Sequence, residues 1–276
     1  MSEVKTADIA KLRKITGAGM MDCKKALVES NGDLDKAIEF IRERGKAIAN
    51  KRADREASEG AALAATTADG KFGAIVVLNC ETDFVAKNDD FVGLTNKILK
   101  AALENAPADI EALKELEIDG RKIKDLVLDQ SGVTGEKFEL SSYESIKGEK
   151  VIGYIHPGNK LATIVAFNQA DVDEQVAKDV AMQVAAMSPV AVDADDVPEN
   201  IKKQEYEIGR EQARQEGKPE NILDKIAQGK LQKFYKESTL LNQDFIKDGK
   251  MKVSEYLKNA NNDLKVLGFK RVSLNA

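Results

Sequence analysis

Phe72 to Asn79 (FGAIVVLN) and Leu161 to Asn168 (LATIVAFN) read as one strand written twice. Phe72 aligns with Leu161, Ile75 with Ile164, Val76 with Val165, Leu78 with Phe167 and Asn79 with Asn168. Each stretch follows a strand and a turn. Gly60 to Thr66 leads into Ala68-Asp69-Gly70-Lys71, and Val151 to His156 leads into Pro157-Gly158-Asn159-Lys160; both are hairpin signals. Each is also followed by a helix, marked by Phe91, Leu94, Ile98 and Leu99 in the first case and by Val176, Val180, Val184 and Met187 in the second. The chain therefore carries an internal duplication of a strand–turn–strand–helix unit, an α+β architecture with antiparallel sheets packed by helices. The copies differ in one respect. Glu81 to Asn88 (ETDFVAKN) lies between strand and helix in the first copy and has no counterpart in the second. A segment that the repeat's fold does without is the first place to look for function.

Working outward, residues 1–45 read as a domain of three short helices. Ile9, Leu12 and Ile15 recur at helical spacing before Gly17-Ala18-Gly19; Asp22 is placed to cap a second helix, Asp33 a third, and Gly45 sits where a C-terminal cap belongs. Residues 46–59 (KAIANKRADREASE) form a charged helical linker. The first core subdomain takes residues 60–147, whose polar second half holds one helix (Ile110, Leu113, Leu116) and a weaker one (Ile123, Leu126, Leu128). The second begins over residues 148–196 and is completed by residues 236–276, with a helix at Val253, Tyr256 and Leu257 and a final strand from Phe269 to Leu274 joining the sheet. Between these, residues 197–235 are two helical runs reversing at Gly217-Lys218-Pro219. Their apolar positions (Ile201, Ile208, Ile222, Ile226, Phe234) are so sparse that the hairpin is expected to protrude.

Composition narrows the chemistry. The 276 residues carry 47 acidic against 42 basic side chains, a formal charge of −5, which argues against a nucleic-acid surface. Aromatics at 5% and the absence of Trp argue against base-stacking platforms. No apolar run reaches the ~18–20 residues of a membrane span, and Met1 to Lys5 lack the apolar core of a secretory signal. Cys23 and Cys80 stand alone, and His156 is the only histidine, so neither a disulfide framework nor a thiolate or histidine metal site is expected. The expected setting is reducing and cytoplasmic, with no cofactor and no metal. The balance favours a binding protein over an enzyme.

Three places could bind. Gly17-Ala18-Gly19-Met20-Met21-Asp22 invites a phosphate-loop reading, but it follows a helix rather than a strand and lacks the glycine spacing; a tight interhelical turn fits, with Met20 and Met21 offering adaptable apolar contact. In the unmatched segment, Thr82 or Asp83 can cap a short helical turn with Phe84 packed on the sheet. Alternatively, Thr82, Asp83, Phe84 and Val85 form a loop that projects a rigid aromatic beside a carboxylate toward a partner. His156, at a hairpin tip, is either a neutral surface residue or an interface contact.

Ile15 to Leu27 (ITGAGMMDCKKAL) resembles the N-terminal signature of the bacterial elongation factor Ts family, and Asn79 to Asn88 (NCETDFVAKN) resembles its core signature. The similarity continues through His156, Ala181-Met182, Gly217-Lys218-Pro219 and Gly229 to Phe234 (GKLQKF), in order along nearly the whole chain. The resemblance implies a ubiquitin-associated-like N-terminal domain, a duplicated core and a protruding coiled-coil hairpin. It also implies exchange of GDP for GTP on elongation factor Tu: Asp83 and Phe84 would press in near the partner's magnesium site, supported by Thr82 and Val85, with Met20, Met21 and His156 as further contacts. Some members carry an additional C-terminal helix, and none is expected in a chain that ends at Asn275-Ala276. Self-association through the hairpin arm is a further expectation. The competing reading is a protein-binding adaptor, using the helical domain and the arm, without exchange activity.

Overall fold

The computed structural model describes residues 4–274. Three helices open it: α1 (Thr6–Thr16), α2 (Met20–Glu29) and α3 (Leu34–Lys51). Gly17 ends α1 in the left-handed region (φ 71°), its N–H donating to the Arg13 carbonyl at 2.8 Å. The Asp33 carboxylate caps α3 by accepting from the Lys36 N–H at 3.1 Å. Ile9, Leu12, Cys23, Ala26, Leu27 and Ala37 form a small core. Three expectations fail here. Gly19, not Asp22, is the N-cap of α2, and Asp22 pairs instead with Arg44 of α3. Gly45 does not end α3, which runs on to Lys51 through part of the segment expected to be linker. Ile15, expected on the buried face, is mostly exposed.

The core then follows as β1 (Glu59–Thr66), β2 (Phe72–Cys80), the single turn α4 (Asp83–Ala86), α5 (Asp89–Asn105), α6 (Ile110–Glu115), β3 (Glu117–Ile118), β4 (Arg121–Lys122), α7 (Ile123–Thr134) and β5 (Glu139–Lys147). The second copy is β6 (Lys150–Ile155), β7 (Leu161–Phe167) and α8 (Glu174–Met187). After the hairpin α9 (Glu199–Gln215) and α10 (Glu220–Ser238) come β8 (Asp244–Phe245), β9 (Asp248–Lys252), α11 (Val253–Ala260) and β10 (Val266–Ser273). Two antiparallel three-stranded sheets result, in the orders β1–β2–β5 and β10–β7–β6, so each duplicated strand is the centre of its sheet.

The sheets pack face to face, and the two-residue period shows it. Ala62, Ala64, Ile75 and Val77 point into a shared inner layer with Ala162, Ile164 and Ala166. Ala61, Leu63, Val76 and Leu78 point outward to α5 and α7, while Val165 and Phe167 point outward to α8. Aligned residues of the two copies therefore face the same way: Ile75 and Ile164 inward, Val76 and Val165 outward. Covered on both faces, β2 is buried along its whole length, which is why it reads as a continuous apolar run. The inner layer is thin because it is rich in alanine, and Gly73 makes it thinner: a Cβ there would stand 2.6 Å from the Val151 side chain. The two asparagines play matching parts at the strand ends. The Asn79 amide donates to the Glu59 carbonyl at 3.2 Å, and the Asn168 amide donates to the Asp263 carbonyl at 3.0 Å.

The hairpin reverses at Gly217 (φ 73°), with Pro219 at the N-cap of α10. Its seam differs from the expected one. The buried residues are Gly209, Ala213, Leu223, Ala227 and Leu231, whereas Ile208 and Ile222 are exposed. Small residues bring the helices close, and a Cβ on Gly209 would meet Lys230 Cβ at 3.2 Å.

Two features fix the N-terminal helices to the core. Where α3 crosses α7, Gly45 meets Gly132: a Cβ on Gly132 would lie 2.3 Å from Gly45 Cα, but one on Gly45 would lie 3.4 Å from Gly132 Cα. At the end of α3, Arg52 Nη1 donates to both oxygens of Glu81, at 2.9 and 2.8 Å, and Arg55 stands 3.6 Å away. The Lys137 N–H donates to Glu81 Oε1 at 2.6 Å. Burial pushes the Glu81 carboxyl up, but these donors outweigh it and hold the group below its ordinary value of 4.5.

The asymmetry of the glycine crossing gives a prediction. Gly132→Ala should destabilise by roughly 1–3 kcal/mol through backbone overlap, while Gly45→Ala should stay within about 1 kcal/mol of wild type, its contact being offset by better helix propensity. Urea unfolding of both variants measures the difference. For Glu81, a lowered carboxyl value means that the native state binds fewer protons than the unfolded one, so its stabilisation is present above pH 4.5 and fades as pH falls. The gap in melting temperature between wild type and Glu81→Gln should be widest near neutral pH and should close on acidification below 4.5.

Candidate functional site

The segment without a match in the second copy folds as α4, one helical turn. Thr82 caps it, its Oγ1 accepting from the Val85 N–H at 3.5 Å. Asn88 then caps α5, accepting from the Asp90 N–H at 2.8 Å. In the second copy Asp173 performs the same duty for α8, accepting from the Gln175 and Val176 N–H groups. The connection there, Gln169 to Asp173, is shorter but present, so what the first copy adds is the helical turn itself.

Within that turn the four residues separate cleanly. Ala86 is buried and Val85 packs against the first core, so these two anchor it. Phe84 points the other way and is 84% exposed, the most exposed large apolar side chain among the described residues. It does not pack on the sheet. Burying such a ring is worth about 1.5–3 kcal/mol that this chain on its own leaves unused. Asp83, half-exposed beside it, receives an ion pair from Lys87 at 2.6 Å. That hydrogen bond, with smaller help from Lys160, keeps the Asp83 carboxyl below its usual range, so the residue next to the ring is an anion.

Beneath the turn, Cys80 donates its thiol hydrogen to the Thr82 carbonyl at 3.2 Å. Burial, reinforced by Glu136, pushes that thiol up to about 12, which leaves it protonated and inert at neutral pH. Glu136, in the bend between α7 and β5, accepts from the Thr82 N–H at 3.0 Å and from the Thr82 hydroxyl at 2.6 Å.

His156 lies at the same end of the stacked sheets. Its hairpin turns through Gly158 and Asn159, both at positive φ, and docks on the start of β1: the Asn159 carbonyl accepts from the Ala62 N–H at 2.7 Å, and Lys160 pairs with Glu59 at 2.8 Å. Glu59 is opposite Cys80 in the sheet register, so the hairpin tip and α4 share one rim. The exposed His156 ring has Nδ1 2.9 Å from the Tyr154 hydroxyl. Met20 and Met21 open α2, 53% and 76% exposed, on the separate N-terminal unit. Arg44, which holds α2 through Asp22, is eight residues before Arg52, the C-cap of the same helix, or about 12 Å along its axis. The structure thus brings Asp83, Phe84 and the His156 hairpin together and ties the methionines to them through α3. The Arg52–Glu81 and Thr82–Glu136 contacts had no signal in the sequence, since they join residues 29 and 54 positions apart.

Among the described residues no group of three or more His, Cys, Asp or Glu could hold a metal ion, and no helix is long and apolar enough to cross a membrane. What the rim offers is a shaped, charged and partly apolar contact surface.

Comparison with known proteins agrees with the signatures. The sequence model described as Elongation factor TS matches residues 81–276. A protein named Elongation factor Ts from Porphyromonas gingivalis is 58% identical over 270 residues, covering 98% of this chain and 97% of that protein. Others of the same name, from Azobacteroides pseudotrichonymphae and Christiangramia forsetii, are 53% and 48% identical, covering 97% and 99% of this chain and 97% and 100% of theirs. Similarity of this depth over essentially the full length leaves one assignment: the chain belongs to the elongation factor Ts family.

Proposed function

We propose that this chain opens the nucleotide site of elongation factor Tu by pressing the Asp83–Phe84 turn into it. The family assignment makes the chain a translation elongation factor that exchanges GDP for GTP, with elongation factor Tu as its partner. The observation that carries the residue assignment is the 84% exposure of Phe84 on a turn whose other apolar residues, Val85 and Ala86, face inward. An aromatic ring held out in water is an unspent binding contribution, and the adjoining carboxylate can compete electrostatically near a bound cation. Thr82 acts as the cap that shapes the turn, and Val85 as its inward anchor. His156, on the same rim, and Met20 and Met21, on the N-terminal unit, are the supporting contacts.

The same reading extends to the finer architecture. The three N-terminal helices fit a ubiquitin-associated-like domain, and α9 with α10 a coiled-coil arm suited to pairing with a partner or a second copy. Residues 1–45, 46–59, 60–147, 148–196, 197–235 and 236–276 serve as the working division, with the third N-terminal helix extended into the linker range. The chain works in the cytoplasm, where translation occurs, and makes no direct contact with nucleic acid.

No covalent bond changes in such an exchange. If this protein weakens GDP binding by some factor, GDP weakens the binding of this protein by the same factor. Contacts made only with an opened pocket supply that coupling.

Phe84→Ala should slow release of labelled GDP from elongation factor Tu by about ten-fold or more, the equivalent of losing one buried aromatic contact. Its melting temperature should match wild type, because the ring, 84% exposed, buries little against its own chain. Wild-type release by that variant removes the role assigned to Phe84, and an adaptor without exchange activity would leave GDP release unchanged even by the wild-type protein.

A further inference from the structure

A helical turn of four residues does not hold its own shape in water, because one or two hydrogen bonds cannot repay the ordering of its backbone. The direction in which Phe84 points must therefore be set from outside α4. Two glutamates do this. Glu136 accepts from both the N–H and the hydroxyl of Thr82, at 3.0 and 2.6 Å. Because the hydroxyl hydrogen goes to Glu136, the oxygen lone pair is left for the Val85 N–H, so one residue both binds the anchor and caps the turn. Glu81, one position earlier, is gripped by Arg52 from the N-terminal unit and by the Lys137 N–H, next to Glu136 in the α7–β5 bend. Lys137 returns the contact, its ammonium donating to the Ala53 and Arg55 carbonyls at 3.1 Å. Two separate parts of the chain, the end of α3 and the α7–β5 bend, thus meet at residues 81 and 82, three and two positions before the ring.

We propose that Glu136, aided by Glu81, is a positioning residue for nucleotide exchange: it aims Phe84 and keeps the turn from yielding when the ring meets the partner. Glu136 itself lies beneath the turn and acts through Thr82. This inference rests on the reading of Phe84 given above.

The test is release of labelled GDP from elongation factor Tu at saturating protein, for wild type, Glu136→Gln, Phe84→Ala and the double variant. A glutamine has one acceptor oxygen for the two Thr82 donors and turns an N–H toward the other. Glu136→Gln should therefore lower the maximal release rate about ten-fold, with a smaller change in the concentration giving half-maximal release, since the other contacts persist. In the Phe84→Ala background the same substitution should add nothing, because no ring remains to be aimed. Arg52→Met, which loosens Glu81 from the other side, should show the same pattern more weakly, and it carries the test if Glu136→Gln melts well below wild type. Multiplying effects in the double variant overturn the proposal, as does wild-type release by both Glu136→Gln and Arg52→Met while Phe84→Ala is slow. Wild-type release by Phe84→Ala instead removes the reading of Phe84 itself.

Discussion

The anchoring of residues 81 and 82 is the constraint on which the rest of this surface depends. A phenyl ring in water tends to fold back onto the nearest apolar surface, and here that surface, the first core, is one helical turn away. Phe84 stays out because its neighbours claim the inward positions: Val85 and Ala86 pack down and Thr82 is tied to Glu136. The backbone hydrogen bonds of the turn, Ala86 N–H to the Thr82 carbonyl and Lys87 N–H to the Asp83 carbonyl at 3.1 Å each, then fix the rotation that leaves Phe84 outside. Exposure of the ring is a built feature of the fold and not a residue left over from packing.

The stacked sheets explain why so much meets on one rim. Each sheet is covered by helices on its outer face, so its inner face must be satisfied by the other sheet. Alanines and Gly73 bring the two layers close enough that the tip of the β6–β7 hairpin reaches the start of β1, where Asn159 and Lys160 are received by Ala62 and Glu59. Bulkier inner residues would separate the layers and carry that tip away from α4. Duplication supplied two similar sheets, and their close packing made the hairpin tip of the second copy a neighbour of the helical turn found only in the first.

How much of this was legible in the sequence follows from the range of the interactions involved. Periodicity and turn chemistry are local, so β1, β2, β6, β7, α5 and α8 could be read from residues 60–99 and 151–187, as could the reversal at Gly217-Lys218-Pro219. The strand β5 could not: Glu139 to Lys147 (ELSSYESIK) is polar, and it is a strand because β2 needs a partner on its second edge. Gly45 looked like a helix end because glycine usually is one, and only the approach of Gly132, 87 residues away, explains its place inside a helix. The arm misled for a related reason. Hydrophobic periodicity favours its isoleucines as the seam, but close-packed helices bury Gly209, Ala213 and Ala227, whose small size is no hydrophobic signal. At the site, the short motif located Phe84 and the cap residue Thr82, but its supports, Glu136 and Arg52, carry no mark of their own.

That division has a physical consequence for how exchange can work. In the proposed role, Phe84 has to be stiff relative to the pocket it enters, since a compliant turn would deform and leave the nucleotide in place. Stiffness cannot be written in a four-residue motif, because a single turn gains too little from its own hydrogen bonds. It has to be supplied by contacts from distant parts of the chain, here the end of α3 through Arg52 and the α7–β5 bend through Glu136 and Lys137. Those same contacts join the unit bearing Met20 and Met21 to the turn bearing Phe84. Two surfaces held at a fixed separation act on a partner as one rigid body, so the ordering cost of the second contact is met largely by the first. On this reading the N-terminal helices and the core are not independent binding modules in series. They are two ends of a single brace, and the charged knot at Glu81 is where load passes between them.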